Sequence, residues 1–213
     1  MILGVSVTDN MMRMTRREEE LAARELAHVL NNTRTIYNPL PGYDKNVFHE
    51  RYQIGLDCDE VYPNIYIGDA SSAKNKQYLM KLGISHVVNT AEGKLLGQVD
   101  TDQDFYRNTT IQYLGFSIMD LPVANIGQYF TEVADFMEKA IKGGGKVLVH
   151  CLMGMSRSST CVLAYLMIKE GMTAAEAIKQ VRQHRDIRPN DGFLLQLAQL
   201  DYKLQAQRLG YTQ

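Results

Sequence analysis

Amphipathic stretches and short apolar runs alternate along most of the chain. Residues 1 to 14 carry four Met and no clear period, so they read as poorly ordered. Leu21, Leu26, Val29 and Leu30 then make one stripe opposite Glu18, Glu19, Glu20 and Arg24. That pattern predicts an amphipathic helix from about 15 to 31, opened by a Thr15–Glu18 capping box and ended by Asn31-Asn32. Residues 33 to 57 form a connector with turn chemistry at Pro39-Leu40-Pro41-Gly42. Its Tyr37, Tyr43, Phe48 and Tyr52 predict packing onto the domain.

From residue 58 the period switches repeatedly between strand and helix. Strands are predicted at Glu60–Pro63 and Ile65–Gly68, broken by Pro-Asn, then at Ile84–Asn89, Ile111–Phe116 and Lys146–Val149. Helices are predicted over Ala70–Leu82, stopped by Gly83, and over Ile126–Ile141, stopped by three glycines. Gly93 to Asp104 reads as a polar loop. Three more helices follow, from near Ser158, after a Thr173 cap with Glu176 three later, and from Gly192 with Phe193, Leu197, Leu200 and Leu204 on one face. Val147-Leu148-Val149 is apolar on both faces, as a central parallel strand requires. The fold class is therefore α/β, a mainly parallel central sheet flanked by helices, with an N-terminal helical extension.

The chain of 213 residues suits one domain with an extension, and 45% hydrophobic with 22% charged residues fits a soluble globular protein. A net charge of −1 offers no broad basic field for nucleic acid or anionic lipid. No apolar run approaches the ~20 residues that span a bilayer, and the start lacks the order of a signal peptide. These features predict neither a nucleic-acid nor a membrane partner. The three Cys, at 58, 151 and 161, are odd in number and form no C-x-x-C pair, which argues against a zinc site or a disulfide framework. A reducing compartment, cytoplasm or nucleus, suits such a chain. His28, His49, His86 and His184 have no ligand partners at metal spacing, so no metal or other cofactor is expected.

The chemistry concentrates in His150-Cys151-Leu152-Met153-Gly154-Met155-Ser156-Arg157-Ser158, between a strand and a helix. Backbone N–H groups of residues 152 to 157 can turn toward one centre, at which the following helix points its positive end. Together they make a nest for a tetrahedral dianion. Arg157 would close it with a bidentate fork. Cys151 would lie at the floor, where the same field favours thiolate. Gly154 suits a tight turn closed to side chains. Ser158 can donate to the sulfur or cap the helix. His150 either orients the loop or is simply buried and satisfied. A phosphoryl transfer to such a thiolate also needs an acid for the leaving oxygen. Asp120, thirty-one residues ahead of Cys151 and between a strand and a helix, is one candidate, although Asp before Leu-Pro is by itself an ordinary turn residue, and Asp102 and Asp104 lie in the preceding loop.

This stretch resembles the signature of the cysteine-dependent protein phosphatases, its -S-R-S- ending the dual-specificity branch. Further blocks, Asn64–Ala70, Leu82–Asn89, Ala91-Glu92-Gly93 and Ile187–Leu194, are similar to the small atypical, VHR-like group. The likeness covers about residues 58 to 208, leaving 1–57 as an extension and 209–213 as a tail. It implies a protein tyrosine phosphatase-like fold with catalytic Cys151, Asp120, Arg157 and Ser158. It implies a substrate-binding shell of His150, Leu152, Met153, Gly154, Met155, Ser156 and Arg157. Arg185 would lie near the pocket and hold a second phosphate. The implied activity is hydrolysis of phosphotyrosine and phosphoserine/phosphothreonine through a phosphocysteine, on phosphoproteins with MAP kinases among them, by a monomer or homodimer. The alternatives are a non-catalytic phospho-binding module, which would lack the Cys or the acid, and a phosphatase of a non-protein phosphoester, for which the loop lacks extra basic residues. Met153 and Met155 make the pocket lip apolar. Cys58 and Cys161 are the internal candidates to resolve an oxidised Cys151.

Overall fold

The computed structural model describes residues 14–43 and 53–210. Residues 1–13, with Phe48 and Tyr52 of the connector, lie outside that range.

Five strands make one sheet: β1 (Cys58–Tyr62), β2 (Ile65–Gly68), β3 (His86–Asn89), β4 (Gln112–Gly115) and β5 (Val147–His150), in the order β1-β2-β5-β3-β4. Only β1 runs antiparallel, as one arm of a hairpin with β2. The hairpin turns at Asn64, whose φ of 64° is one that asparagine tolerates and whose amide donates to the Glu60 carboxylate at 2.9 Å. Every residue of β5 is buried, as its two apolar faces require.

Alternation along the strands sorts the core into two layers. Ile65, Ile67, Val88, Val147 and Val149 face one cluster with Phe130, Met137, Leu163 and Leu166. Tyr66, Val87 and Leu148 face the other, with Leu79, Tyr106 and Ile111. The first layer holds α5 (Phe130–Lys142), α6 (Arg157–Ile168), α7 (Ala174–His184) and α8 (Asp191–Arg208). The second holds α2 (Ala70–Lys74), α3 (Lys76–Leu82) and α4 (Gln103–Tyr106). Eleven of the twelve residues of α6 are buried, so the helix that follows the loop after β5 is enclosed on every face rather than amphipathic.

The register sets the site. Gly68, His150 and Asn89 lie side by side across β2, β5 and β3, so three parallel strands end in line. The loops that follow them open at one edge, the usual place for a ligand in such a sheet.

Three expectations are corrected. The helix expected over Ala70–Leu82 is two. Asn75 leaves helical geometry, ends α2 and caps α3 by accepting from the Tyr78 amide at 2.9 Å, so a local cap outcompetes helix continuity. The loop to Asp104 runs into a short helix, α4, capped by Asp102, which accepts from the Phe105 amide at 2.7 Å. The buried Tyr106 hydroxyl at its end donates to the Ala73 carbonyl. In the connector, Tyr43 packs near Tyr78 beneath Lys81, but Tyr37 is 59% exposed.

Helix α1 (Arg16–Asn32) has the full Thr15–Glu18 capping box and buries Leu26 and Leu30 against the main core. The segment after it is tied to α7: Thr35 Oγ1 donates to the Arg182 carbonyl at 2.7 Å and the Ile36 amide to the Gln183 carbonyl at 2.8 Å. Leu30→Ala should therefore lower global stability by about 2–5 kcal/mol, within a single urea transition. A separate early transition for α1 would show that it folds apart from the domain.

Candidate active site

A planar peptide sends its C=O and the next N–H to opposite sides. In the loop after β5 the carbonyls are all taken by surrounding protein. The Leu152 carbonyl accepts from the Ala70 amide at 3.0 Å and the Met155 carbonyl from the Arg188 amide at 2.8 Å. Arg185 donates Nη2 to the Met153 carbonyl at 3.1 Å and Nε to the Gly154 carbonyl at 2.7 Å. With the carbonyls held outward, the amides face the hollow of the loop. Gly154 is required at its tightest point. Its φ is +65°, and a Cβ there would sit 2.4 Å from the Gly68 carbonyl oxygen.

Cys151 lies buried at the floor of this hollow. Its Sγ receives the Gly154 amide at 3.2 Å and lies 3.4 Å from Ser158 Oγ. Burial alone pushes the thiol up. The Ser158 hydroxyl and amide, the Arg157 charge and the Met155 amide outweigh that and hold it below its ordinary value. Arg157, buried at the start of α6, donates Nη1 to the carbonyls of Gly97 at 3.0 Å and Ile118 at 3.2 Å. These carbonyls belong to the loops after β3 and β4, so one guanidinium nitrogen ties both loops to the start of α6. Its buried Nε makes no hydrogen bond and faces the Asp120 carboxylate at 3.7 Å.

Asp120 is held over the same loop. Its Oδ1 accepts from Ser156 Oγ at 2.7 Å and from Asn190 Nδ2 at 2.8 Å, and its Oδ2 lies 3.7 Å from Arg157 Nε. Asn190 also caps α8, accepting from the Phe193 amide at 3.0 Å. The rest of the acid loop is pinned to α8. Gln196 donates to the Ala124 carbonyl and accepts from the Gly127 amide, and any Cβ at Gly192 would collide with the Pro122 carbonyl.

The dual specificity phosphatase catalytic-domain model matches residues 65–203. The human dual specificity protein phosphatase 13B is 50% identical over 147 residues, covering 68% of this chain and 73% of that protein. The chain belongs to the dual-specificity phosphatase family. It is a protein phosphatase, and its structural likeness is to the same family. A mouse putative dual specificity phosphatase complexed with zinc tungstate has a TM-score of 0.63 at 29% identity, covering 71% of this chain and 91% of that one. The human tyrosine phosphatase-like serine/threonine/tyrosine-interacting protein gives 0.60 at 32% identity, covering 73% and 97%.

Around the phosphatase signature the structure places several of the side chains expected to bind substrate elsewhere. Arg185 does lie beside the loop, but it is buried and faces inward. Its Nη1 bonds Asp59 at 2.7 Å and its Nη2 bonds Asp57 at 2.6 Å, while the same group holds the Met153 and Gly154 carbonyls. It buttresses the loop from behind and has no face left for a second phosphate. His150 is fully buried, with Nδ1 3.4 Å from the Cys151 carbonyl oxygen, so its side chain does not touch a substrate. Burial lowers its imidazole to about 4, leaving it neutral at neutral pH. Ser156, placed in the substrate shell, spends its hydroxyl on Asp120. Leu152 and Met153 point their side chains outward.

Cys58 and Cys161 are both buried and free. Burial pushes Cys58 up to about 12 and raises Cys161 as well, so neither is a ready thiolate at neutral pH. Among the described residues no helix is long and apolar enough to cross a membrane, and no group of three His, Cys, Asp or Glu is placed to hold a metal.

The sequence reading missed Asn190, Asp57 and Asp59 as supports. Asn190 could have been read as the cap of the last helix, but its bond to Asp120 spans seventy residues and has no local trace. The Gly97 and Ile118 carbonyls carry no side-chain signal at all.

Arg185→Met should cost about 3–5 kcal/mol of stability in urea unfolding, because it removes one member of the buried Arg185–Asp59 ion pair. A loss under about 1 kcal/mol would remove the buttress role. The rate of Cys151 alkylation by iodoacetamide follows the thiolate, which grows as pH rises. Its midpoint should fall below that of a free thiol and move upward in Ser158→Ala, which loses a bond to the sulfur.

Proposed function

We propose that the chain hydrolyses phosphotyrosine and phosphoserine or phosphothreonine in proteins through a phosphocysteine. The observation that carries this reading is the buried Cys151 thiol, 3.2 Å from the Gly154 amide, beneath a loop to which Asp120 is tied through Ser156. The Cys151 thiolate attacks phosphorus in line and forms the S–P bond as the P–O bond to the substrate side chain breaks. Asp120 delivers its proton to the departing oxygen. The equatorial oxygens take the loop amides and the Arg157 guanidinium, so the growing charge meets donors already in place. Water then attacks the phosphocysteine and gives a proton to Asp120. Inorganic phosphate leaves, and the Ser158 hydroxyl stabilises the sulfur as it departs.

The chemistry is supplied by side chains and backbone alone; the positive end of α6 and Arg157 neutralise the dianion without a metal. MAP kinases, phosphorylated on neighbouring threonine and tyrosine, are the substrates we favour, and the catalytic unit is residues 58–208. Both Cys151 and Asp120 are present, so nothing favours a non-catalytic binding module. The mouse relative is complexed with zinc tungstate, whose anion is a tetrahedral oxyanion like phosphate, and this supports the oxyanion pocket proposed here.

A doubly phosphorylated MAP-kinase activation-loop peptide tests the proposal. Wild type should release both phosphates, Cys151→Ser neither, and Asp120→Ala should be slower by roughly 10²–10⁴. Release of the tyrosine phosphate alone would exclude dual specificity toward this peptide. Retained binding without release by wild type would replace the enzyme reading with a binding one.

A further inference from the structure

Large apolar side chains are exposed on three loops around the nucleophile. Leu95 and Leu96 precede Gly97, whose carbonyl anchors Arg157. Met119, Leu121 and Val123 surround Asp120 and follow Ile118, the other Arg157 anchor. Met153 precedes Gly154, whose amide meets the Cys151 sulfur. Each lies within three residues of a group that bonds or pairs with Arg157 or Cys151. Leu96 is 97% and Val123 91% exposed, so they pack on almost nothing in the free protein. Soluble proteins scatter single apolar residues over the surface, but six on three loops that all reach Arg157 or Cys151 make a candidate contact surface.

The charges nearby do not compete with this apolar character. Lys94 on the first loop lies 4.0 Å from Asp100, and Arg188 beside the nucleophile loop is bonded to Asp186 at 3.2 Å. No unpaired basic row is left on these loops, among the described residues, to attract acidic flanking residues.

We infer that this rim recognises a phosphoprotein segment with bulky aliphatic residues next to the phosphorylated residue. The inference rests on the phosphatase reading and narrows its substrate class. The occupant follows from continuity: a phosphorylated side chain that reaches Cys151 must carry its own neighbours across these loops. The first loop and the acid loop both accept from Arg157 Nη1, and Gln98 Nε2 donates to Ser117 Oγ at 2.7 Å between them, so a residue next to the phosphoresidue meets aliphatic surface from two adjoining loops. A segment charged at these places would leave its charges against an apolar wall without partners.

The test uses the full chain and two phosphotyrosine peptides of equal length, one flanked by Leu and Ile and the other by Glu and Ser. Hydrolysis of p-nitrophenyl phosphate is run in parallel to score the phosphatase reading separately. The aliphatic peptide should have the higher kcat/KM by about tenfold or more, the size expected when apolar groups enter an apolar site. In Leu96→Ser/Val123→Ser, which alters only exposed side chains, that ratio should fall toward one. Equal kcat/KM for the two peptides, with p-nitrophenyl phosphate turned over, would overturn the rim while leaving the phosphatase intact. Failure on p-nitrophenyl phosphate would overturn the underlying reading itself. Retention of the wild type, but not the double variant, on phosphatidylcholine vesicles, together with equal peptide rates, would assign the rim to a lipid surface and sink the proposal.

Discussion

The site depends on a stretch of backbone that must present N–H groups to one point and keep every carbonyl away from it. An unassisted chain has no reason to do this, because the amides repel one another electrostatically and the carbonyls compete for the same donors. The structure solves the problem from outside. Ala70, Arg185 and Arg188 each take carbonyls of the loop, so the anion sees only donors. Arg185 can sit in the interior because Asp57 and Asp59 neutralise it, and those carboxylates lie at and just before the start of β1. The edge strand therefore matters to the chemistry although it carries no reacting group.

The same logic explains why the sheet ends where it does. Gly68, His150 and Asn89 finish in register, and each begins a loop with a task. After Gly68, Asp69 caps α2, whose first amide holds Leu152. After Asn89, the side-chain amide bonds the Val99 carbonyl and Thr101, shaping the loop that brings Gly97 to Arg157. After His150 comes the nucleophile. One row of residues thus sets the height of three loops, and a slip of one residue would flip the strand faces as well as misplace them.

Much of this was legible in the sequence for physical reasons. Strand and helix periods survive in any chain whose elements bury one face, and the two Thr–Glu capping boxes at α1 and α7 are local devices that sit where their residues imply. Cys151, Gly154 and Arg157 could be read because an anion nest demands those residue types at that spacing. What could not be read was any bond made by backbone carbonyls or across long separations. Asn75 looked like an ordinary polar residue within a helix, and its side chain broke it. Arg185 looked like a free cation near a phosphate site. Only the fold brings Asp57 and Asp59 to it, more than a hundred residues away in the chain.

The clamp between the acid loop and α8 bears on how the protein comes to life. Asp120 is held by Asn190, seventy residues downstream, and Gln196 grips the same loop. During synthesis the nucleophile, its loop and the acid all leave the ribosome before the helix that aligns them. A nascent chain that already holds the Cys151 thiol and Arg157 therefore lacks the contacts that fix Asp120 above them. The spatial order of these three side chains is completed by the last helix of the domain, so shortening the chain before α8 would unfasten a loop that precedes it by seventy residues.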